Sequence, residues 1–323
     1  MRCATYLLGG LLYGAIVLLG PGCGDSNPAQ EFHSVSERTS SDNNDTVFAS
    51  FGGTGQLFVF RIPNAGGSST LLTQFVDDGD PNNDGGMHPF FSPDGSTVVY
   101  VANDAGNRDI WTMDRNGGNR TQLTTDPGSD MQPAFTPNGN QIVWVTNRSG
   151  DNDIWIMDSD GNNKRRLTSS TADEQWPSVG PGARLAYQSD DDSANGDGDG
   201  DDDATPDTDV YVATIPAVGT VTSIINLTAA GTFNEGGPSW DPTGTGAATD
   251  VILYHSDQSG AFDIWSMNAD GSSKTQIIAS PQSAGFPVWF PDGTRFTFTI
   301  AREAWHALPD GTDRQQITAL FPS

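Results

Sequence analysis

The chain has 323 residues, with 41 Asp plus Glu against 15 Lys plus Arg and a formal net charge of -26. A surface this acidic repels polyanions, so nucleic acid is excluded as an expected partner. Gly at 38, Pro at 20 and hydrophobic residues at only 35% favour many short strands over long amphipathic helices, and an all-β closed architecture of this length forms one domain with ample core.

At the N-terminus, Arg2 is followed by an apolar run from Leu7 to Leu19, broken only by small residues and Tyr13. The run is too short to span a bilayer comfortably and the chain turns polar after it, which reads as an export signal. Gly20-Pro21-Gly22-Cys23 then resembles the bacterial lipoprotein signal, in which a cysteine after a small residue becomes the lipidated mature N-terminus. Gly20 stands where that pattern prefers Leu, and plain secretion by cleavage nearby is the alternative. The resemblance implies a lipoprotein-type signal over 1–23, lipidation of Cys23, and a periplasmic or cell-surface protein anchored to the outer membrane through lipid alone. The only two cysteines are Cys3 and Cys23, so the mature fold is expected to hold no disulfide. Gly24 to Asp45 is rich in Ser, Asn, Asp and Glu and reads as a flexible tether.

From about residue 46 the chain repeats itself. His88-Pro89-Phe90-Phe91-Ser92-Pro93-Asp94-Gly95, Gln132-Pro133-Ala134-Phe135-Thr136-Pro137-Asn138-Gly139 and Phe286-Pro287-Val288-Trp289-Phe290-Pro291-Asp292-Gly293 share one pattern, and two divergent copies begin at Trp176-Pro177 and Gly237-Pro238. The first prolines stand 44, 44, 61 and 49 residues apart, about the length of a four-stranded propeller blade. Each unit continues with an apolar strand, a Gly turn, an Asp-apolar-aromatic strand, a second Gly turn and a short strand ending near Leu-Thr. Ser-Pro-Asp-Gly suits a tight hairpin, with Pro at the position of fixed φ and Gly where φ is positive. Alternation within Asp153-Ile154-Trp155-Ile156-Met157-Asp158 is expected to send Ile and Met to one face and Trp to the other, as core. An N-terminal piece, Gln56 to Thr73, lacks the Pro-containing opening and makes six units. Its missing strand must come from Leu320 to Ser323 or from the segment around Phe32 to Val35, since a ring must hide its sheet edges.

These units resemble the TolB-like, WD40-like (PD40) β-propeller repeat family over roughly residues 46 to 323. The resemblance implies an all-β fold, a β-propeller of six blades with four antiparallel strands each, exported from the cytoplasm. Full TolB carries an α/β domain before its propeller; here only the tether precedes the first unit, so TolB itself is not expected.

Two kinds of site are expected. The insertion over 190–208, between the second and third strands of the fourth unit, alternates carboxylates with glycines. Asp191, Ser193, Asn195, Asp197, Asp199 and Asp202 fall in a register that would wrap Ca²⁺ in oxygen ligands, with Gly196 at the turn. A solvated acidic loop is the equal alternative. Asp78, Asp80, Asn82 and Asp84 before Gly85 form a weaker pattern that reads as an ordinary turn. The second site is the channel mouth, where the segments before the inner-strand prolines should converge: His88, Asp130, Gln132, Glu174, Trp176, Glu235 and Phe286.

The histidines His33, His88, His255 and His306 show no zinc-protease spacing, and no nucleophile elbow stands after the ring. The expectation is therefore a monomeric binding or scaffolding module for a protein or glycan at the cell envelope, with Ca²⁺ as the one cofactor to test. The alternative is a propeller enzyme, a hydrolase or a metal-dependent lyase in which His88, Glu174 and Glu235 would hold one ion.

Overall fold

A computed structural model describes residues 32–40, 43–51, 57–63, 69–73, 86–103, 107–191, 207–229, 233–301 and 303–317. Its strands form six four-stranded antiparallel sheets, each from consecutive strands. Blade one is β1 (Phe32–Ser40), β2 (Asn43–Phe51), β3 (Leu57–Pro63) and β4 (Thr70–Leu71); blade two is β5 (Met87–Phe91), β6 (Thr97–Ala102), β7 (Asp109–Asp114) and β8 (Thr121–Gln122). Blade three is β9 (Asp130–Phe135), β10 (Gln141–Thr146), β11 (Asp153–Asp158) and β12 (Arg165–Arg166); blade four is β13 (Glu174–Gly180), β14 (Arg184–Ser189), β15 (Asp209–Thr214) and β16 (Thr222–Asn226). Blade five is β17 (Glu235–Trp240), β18 (Val251–Ser256), β19 (Asp263–Asn268) and β20 (Thr275–Ile278); blade six is β21 (Ala284–Trp289), β22 (Phe296–Ile300), β23 (Glu303–Ala307) and β24 (Gln315–Gln316).

The N-terminal candidate supplies the missing strand. β1 pairs with β2 along its length and packs between β5 of blade two and β21 and β22 of blade six. Part of the stretch expected as a tether is thus strand, because an inner position left empty would expose a sheet edge at the channel. Residues 24–31 and Leu320 to Ser323 lie outside the described residues, as do Cys23 and the signal segment.

The core is a set of layers between successive blades, as expected of strands covered on both faces. In β6, Val98, Tyr100 and Ala102 face blade one and pack with Val47, Val59 and Leu72. The alternate residues Val99 and Val101 face blade three and pack with Ile142, Trp144 and Met157. The same layering joins blades three and four through Leu167 and Tyr187, four and five through Val212 and Tyr254, and five and six through Leu253 and Phe298. Phe48, Ile62, Ala304 and Ile317 form the layer that closes the ring. One expectation is corrected: Met157 shares its face with Trp155 and not with Ile154 and Ile156, since residues two apart on a strand point the same way.

The recurring Leu-Thr and Asp have a common explanation. Thr73, Thr124, Thr168 and Thr228 each accept, at Oγ1, the backbone N–H of the third strand's Val59, Ile110, Ile154 and Val210, at 3.0, 2.8, 2.8 and 2.9 Å. Thr124 and Thr228 in turn donate to the opening carboxylates Asp109 and Asp209. The second Gly turn is fixed by close approach. Gly117 has φ 88°, and a Cβ there would stand 2.4 Å from the Leu72 carbonyl oxygen of the preceding blade.

Candidate functional site: the central channel

The inner strands do not run straight down the channel. The β-ladder is interrupted between Met87 and Phe90, Gln175 and Ser178, Gly236 and Ser239, and Gly285 and Val288, and in blade three on the partner strand between Val143 and Val145. The residue just before each proline takes a left-handed backbone: φ is 46° at His88, 52° at Gln132, 52° at Trp176, 54° at Gly237 and 53° at Phe286. For a residue with a side chain this costs about 1–2 kcal/mol, and the proline next to it restricts it further. Four such costs at one structural position mark a constraint on where these side chains point.

The surrounding structure over-determines the bulges. Gln132 N–H donates to His88 Nδ1 at 3.4 Å and Trp176 N–H to Gln132 Oε1 at 2.7 Å. Gly237 N–H donates to Gln188 Oε1 at 3.3 Å and Phe286 N–H to His255 Nδ1 at 3.4 Å. Each N–H is thus taken by a side chain of the preceding blade, which makes a polar belt around the ring. Below it, Trp240 N–H donates to Ser178 Oγ and Trp289 N–H to Ser239 Oγ, both at 3.1 Å.

The belt aims rings across the channel. Trp176 of blade four meets Phe286 of blade six at 4.8 Å between centroids and His88 of blade two, edge-on, at 5.5 Å. His255 supports Phe286 from behind at 5.2 Å. Gly237, between blades four and six, must lack a side chain, since a Cβ there would stand 2.9 Å from the His255 ring. From these rings a cavity of about 350 Å³ runs along the inner strands of blades two to six to the turn residues Pro93, Pro137, Pro242 and Pro291. Its wall is mostly proline, aromatic and aliphatic, with Gln132, Thr136, Ser178 and Ser239 as polar points. Among the described lining residues Asp292 alone carries a formal charge.

Of the seven residues expected at the mouth, His88, Gln132, Trp176 and Phe286 line this cavity, whereas Asp130, Glu174 and Glu235 do not. Those carboxylates open β9, β13 and β17 and are buried, at 0%, 3% and 5% exposure. Asp130 is held by both oxygens on Arg148 Nη2, at 3.1 and 3.0 Å. Glu174 and Glu235 have no such cation. Glu174 accepts from Ser170 and Glu235 from Ser256 Oγ at 3.0 Å, and Oε2 of each is buried without a hydrogen-bond partner. Burial pushes Glu174 up to about 7 and Glu235 up to about 8, with Asp209 adding repulsion at Glu235. His255, also buried, is pulled down to about 4.

Among the described residues no three His, Cys, Asp or Glu side chains converge as a metal site, and His88, Glu174 and Glu235 are not brought together. Within the acidic insertion only residues 190, 191, 207 and 208 are described. Asp191 N–H donates to Ser189 Oγ at 3.2 Å and its carbonyl accepts from the Tyr211 hydroxyl at 2.9 Å. Ser193, Asn195, Asp197, Asp199 and Asp202 lie outside the described residues, as do Asp78, Asp80, Asn82 and Asp84. Gln188, Ser178 and Ser239, which take inner-strand N–H groups, were not legible in the sequence, and His255 was noted there only as a histidine without a zinc-protease spacing.

Six four-stranded blades around such a channel define a β-propeller. The chain belongs to the family described as the TolB beta propeller domain, which matches residues 34–199. Among solved structures it is similar to TolB from Acinetobacter baumannii, with a TM-score of 0.60 and 19% identity over 80% of this chain and 57% of that one. It is also similar to the tricorn protease, at a TM-score of 0.64 and 13% identity over 92% of this chain and 27% of that one. A third similarity is to a nidogen/laminin complex, at a TM-score of 0.59 and 12% identity over 82% of this chain and 90% of that one. These likenesses establish the fold. The chain spans only 57% of the Acinetobacter TolB chain and 27% of the tricorn protease. No curated protein matches it in sequence. Among the described residues no helix is long and apolar enough to cross a membrane.

Proposed function

We propose that this chain is an exported binding or scaffolding propeller, held at the outer membrane through a lipidated Cys23, that takes an uncharged or apolar segment of an envelope protein or glycan into its central channel. The observation that carries this reading is the channel wall: five bulged inner strands hold aromatic rings, prolines and a few polar groups around a preformed cavity. Such concave, mostly apolar pockets with a few placed polar groups are what ligand sites look like. Calcium bound by Asp191, Asn195, Asp197, Asp199 and Asp202 would order the acidic insertion beside the ring, a structural role that leaves the channel chemistry unchanged.

A photoreactive amino acid at Val179, on the channel wall, tests the reading in living cells of the source organism. Irradiation is expected to give a discrete adduct with an envelope component, absent when the same group stands at Thr121 on the outside of blade two. Equal labelling from both positions, or none from Val179, would overturn it.

A further inference from the structure

The outer strand of blade four differs from its counterparts. In every blade where the approach to that strand is described, one residue with a left-handed backbone precedes it: Asn119, Asn163, Ser223, Ser273 and Asp313, with φ of 53, 54, 54, 59 and 51°. That shared signature sets the equivalences. The next residue is Arg120, Lys164, Lys274 and Arg314 in blades two, three, five and six, and Ile224 in blade four. The register agrees, since Ile225 pairs with Val212 as Thr121, Arg165, Thr275 and Gln315 pair with Thr112, Ile156, Ser266 and His306. Cations on an outer strand are a common device against edge-to-edge pairing. Blade four lacks one, and so does blade one, where Ser69 precedes Thr70, the partner of Arg61, on an outer strand of only two residues.

Three further observations point the same way. β16 is five residues long, against four in β20 and two in β4, β8, β12 and β24, and it ends its sheet. Ile224 and Ile225 are each 54% exposed, and Val218 on the preceding loop is 81% exposed. From Val210 to Asn234 there are 25 residues without one Asp, Glu, Lys or Arg, the longest such run in a chain of net charge -26. The loop before the strand is also fixed in place: Arg165 donates to the Gly219 and Pro216 carbonyls, the latter at 2.7 Å, and Val221 N–H donates to Leu167 O at 2.8 Å. A rigid, long, uncharged and apolar edge is a template for strand pairing.

We infer that this edge is a self-association surface, at which β16 of one copy pairs antiparallel with β16 of a second copy about a two-fold axis. Charge selects this occupant. Two copies of so acidic a chain repel each other over most of their surface, and a two-fold contact sets like against like. Of the five blades with this signature, only blade four has an edge that can meet itself without bringing charge against charge, and there Ile224 faces its own copy. The contact is small, so a weak, reversible dimer is expected. The inference is independent of what the channel binds.

Sedimentation velocity on the whole chain, as processed by the cell, over about a hundredfold range of concentration tests it. The chain should pass reversibly from monomer to dimer, and added salt should favour the dimer by screening repulsion between the copies. Ile224→Lys, which introduces the cation of blades two, three, five and six, should raise the dissociation constant at least about tenfold, because two like charges would meet at the two-fold. Its melting temperature should be unchanged at concentrations where the wild type is monomeric. If that variant folds poorly, Ile225→Thr, the residue type at this position in blades two and five, serves instead. A chain that stays monomeric at every concentration and salt, or a dimer that both substitutions leave unmoved, would overturn the inference. A monomer that pairs with an extended strand of another protein would also overturn it, by assigning the edge to a different occupant.

Discussion

Glu174 and Glu235 make stability depend on pH in a direction opposite to ordinary acid denaturation. Both carboxyls are buried, each has one oxygen without a partner, and burial raises them from 4.5 to about 7 and about 8. A carboxyl raised in this way binds its proton more tightly when folded. Its contribution is complete below 4.5 and is lost as pH climbs through 7 and 8. Between pH 6.5 and 9 the two together should remove about 3 kcal/mol of stability, equivalent to a fall in melting temperature of about 5 °C for a domain of this size. His255, pulled down from 6.5 to about 4, gives the reverse dependence mainly at more acid pH, and offsets only about 0.4 kcal/mol at the bottom of this window. Melts of the wild type and of Glu174→Gln/Glu235→Gln across this range, monitored by circular dichroism, are the assay. The amide keeps the shape of the protonated acid without its charge, so the variant should melt at nearly constant temperature. Equal alkaline falls in both proteins would refute the claim that these side chains are neutral acids in the folded ring.

Arg148→Met should cost about 3–5 kcal/mol, because it strands Asp130 as a buried charge, and denaturant melts should show Asp130→Asn restoring much of the loss. The Arg148 bridge to the half-exposed Asp126 contributes little to that figure. Cys23→Ser should move the protein from the membrane to the soluble fraction, and unchanged membrane association would remove the lipid anchor from the account. Calorimetric titration with Ca²⁺ should give saturable binding and a higher melting temperature, both lost on deletion of Asp191 to Asp203. Absence of heat would return that insertion to a solvated acidic loop.

The blades were legible because their signals are local: hairpin residues, period-two strands and the recurring Pro, Asp and Leu-Thr. The channel residues His88, Gln132, Trp176 and Phe286 were legible through the proline that comes after each. Asp130 and Glu174 were misplaced for a physical reason. They stand two residues before Gln132 and Trp176, and alternation assigns residues two apart to one face, but the left-handed bulge between Gln175 and Ser178 breaks that rule and leaves the carboxylate between blades. Glu235 was displaced by the same bulge ahead of Gly237. β1 was hard to read because Phe32 to Ser40 alternates weakly and no turn signal opens it. The singular edge of blade four was written in the sequence as Ile224, yet it became comparable with Arg120, Lys164, Lys274 and Arg314 only once the backbone at Ser223 fixed the alignment.

The central claim, that the channel binds, is tested most directly by the affinity of the component cross-linked from Val179 for the purified chain and for Trp176→Ala and Phe286→Ala. These rings meet at 4.8 Å where the cavity begins, and truncating an aromatic anchor in a binding pocket commonly costs about 2 kcal/mol or more, about thirtyfold in affinity. The account predicts a loss of that order in both variants with the fold retained. Wild-type affinity in both would place binding elsewhere on the ring.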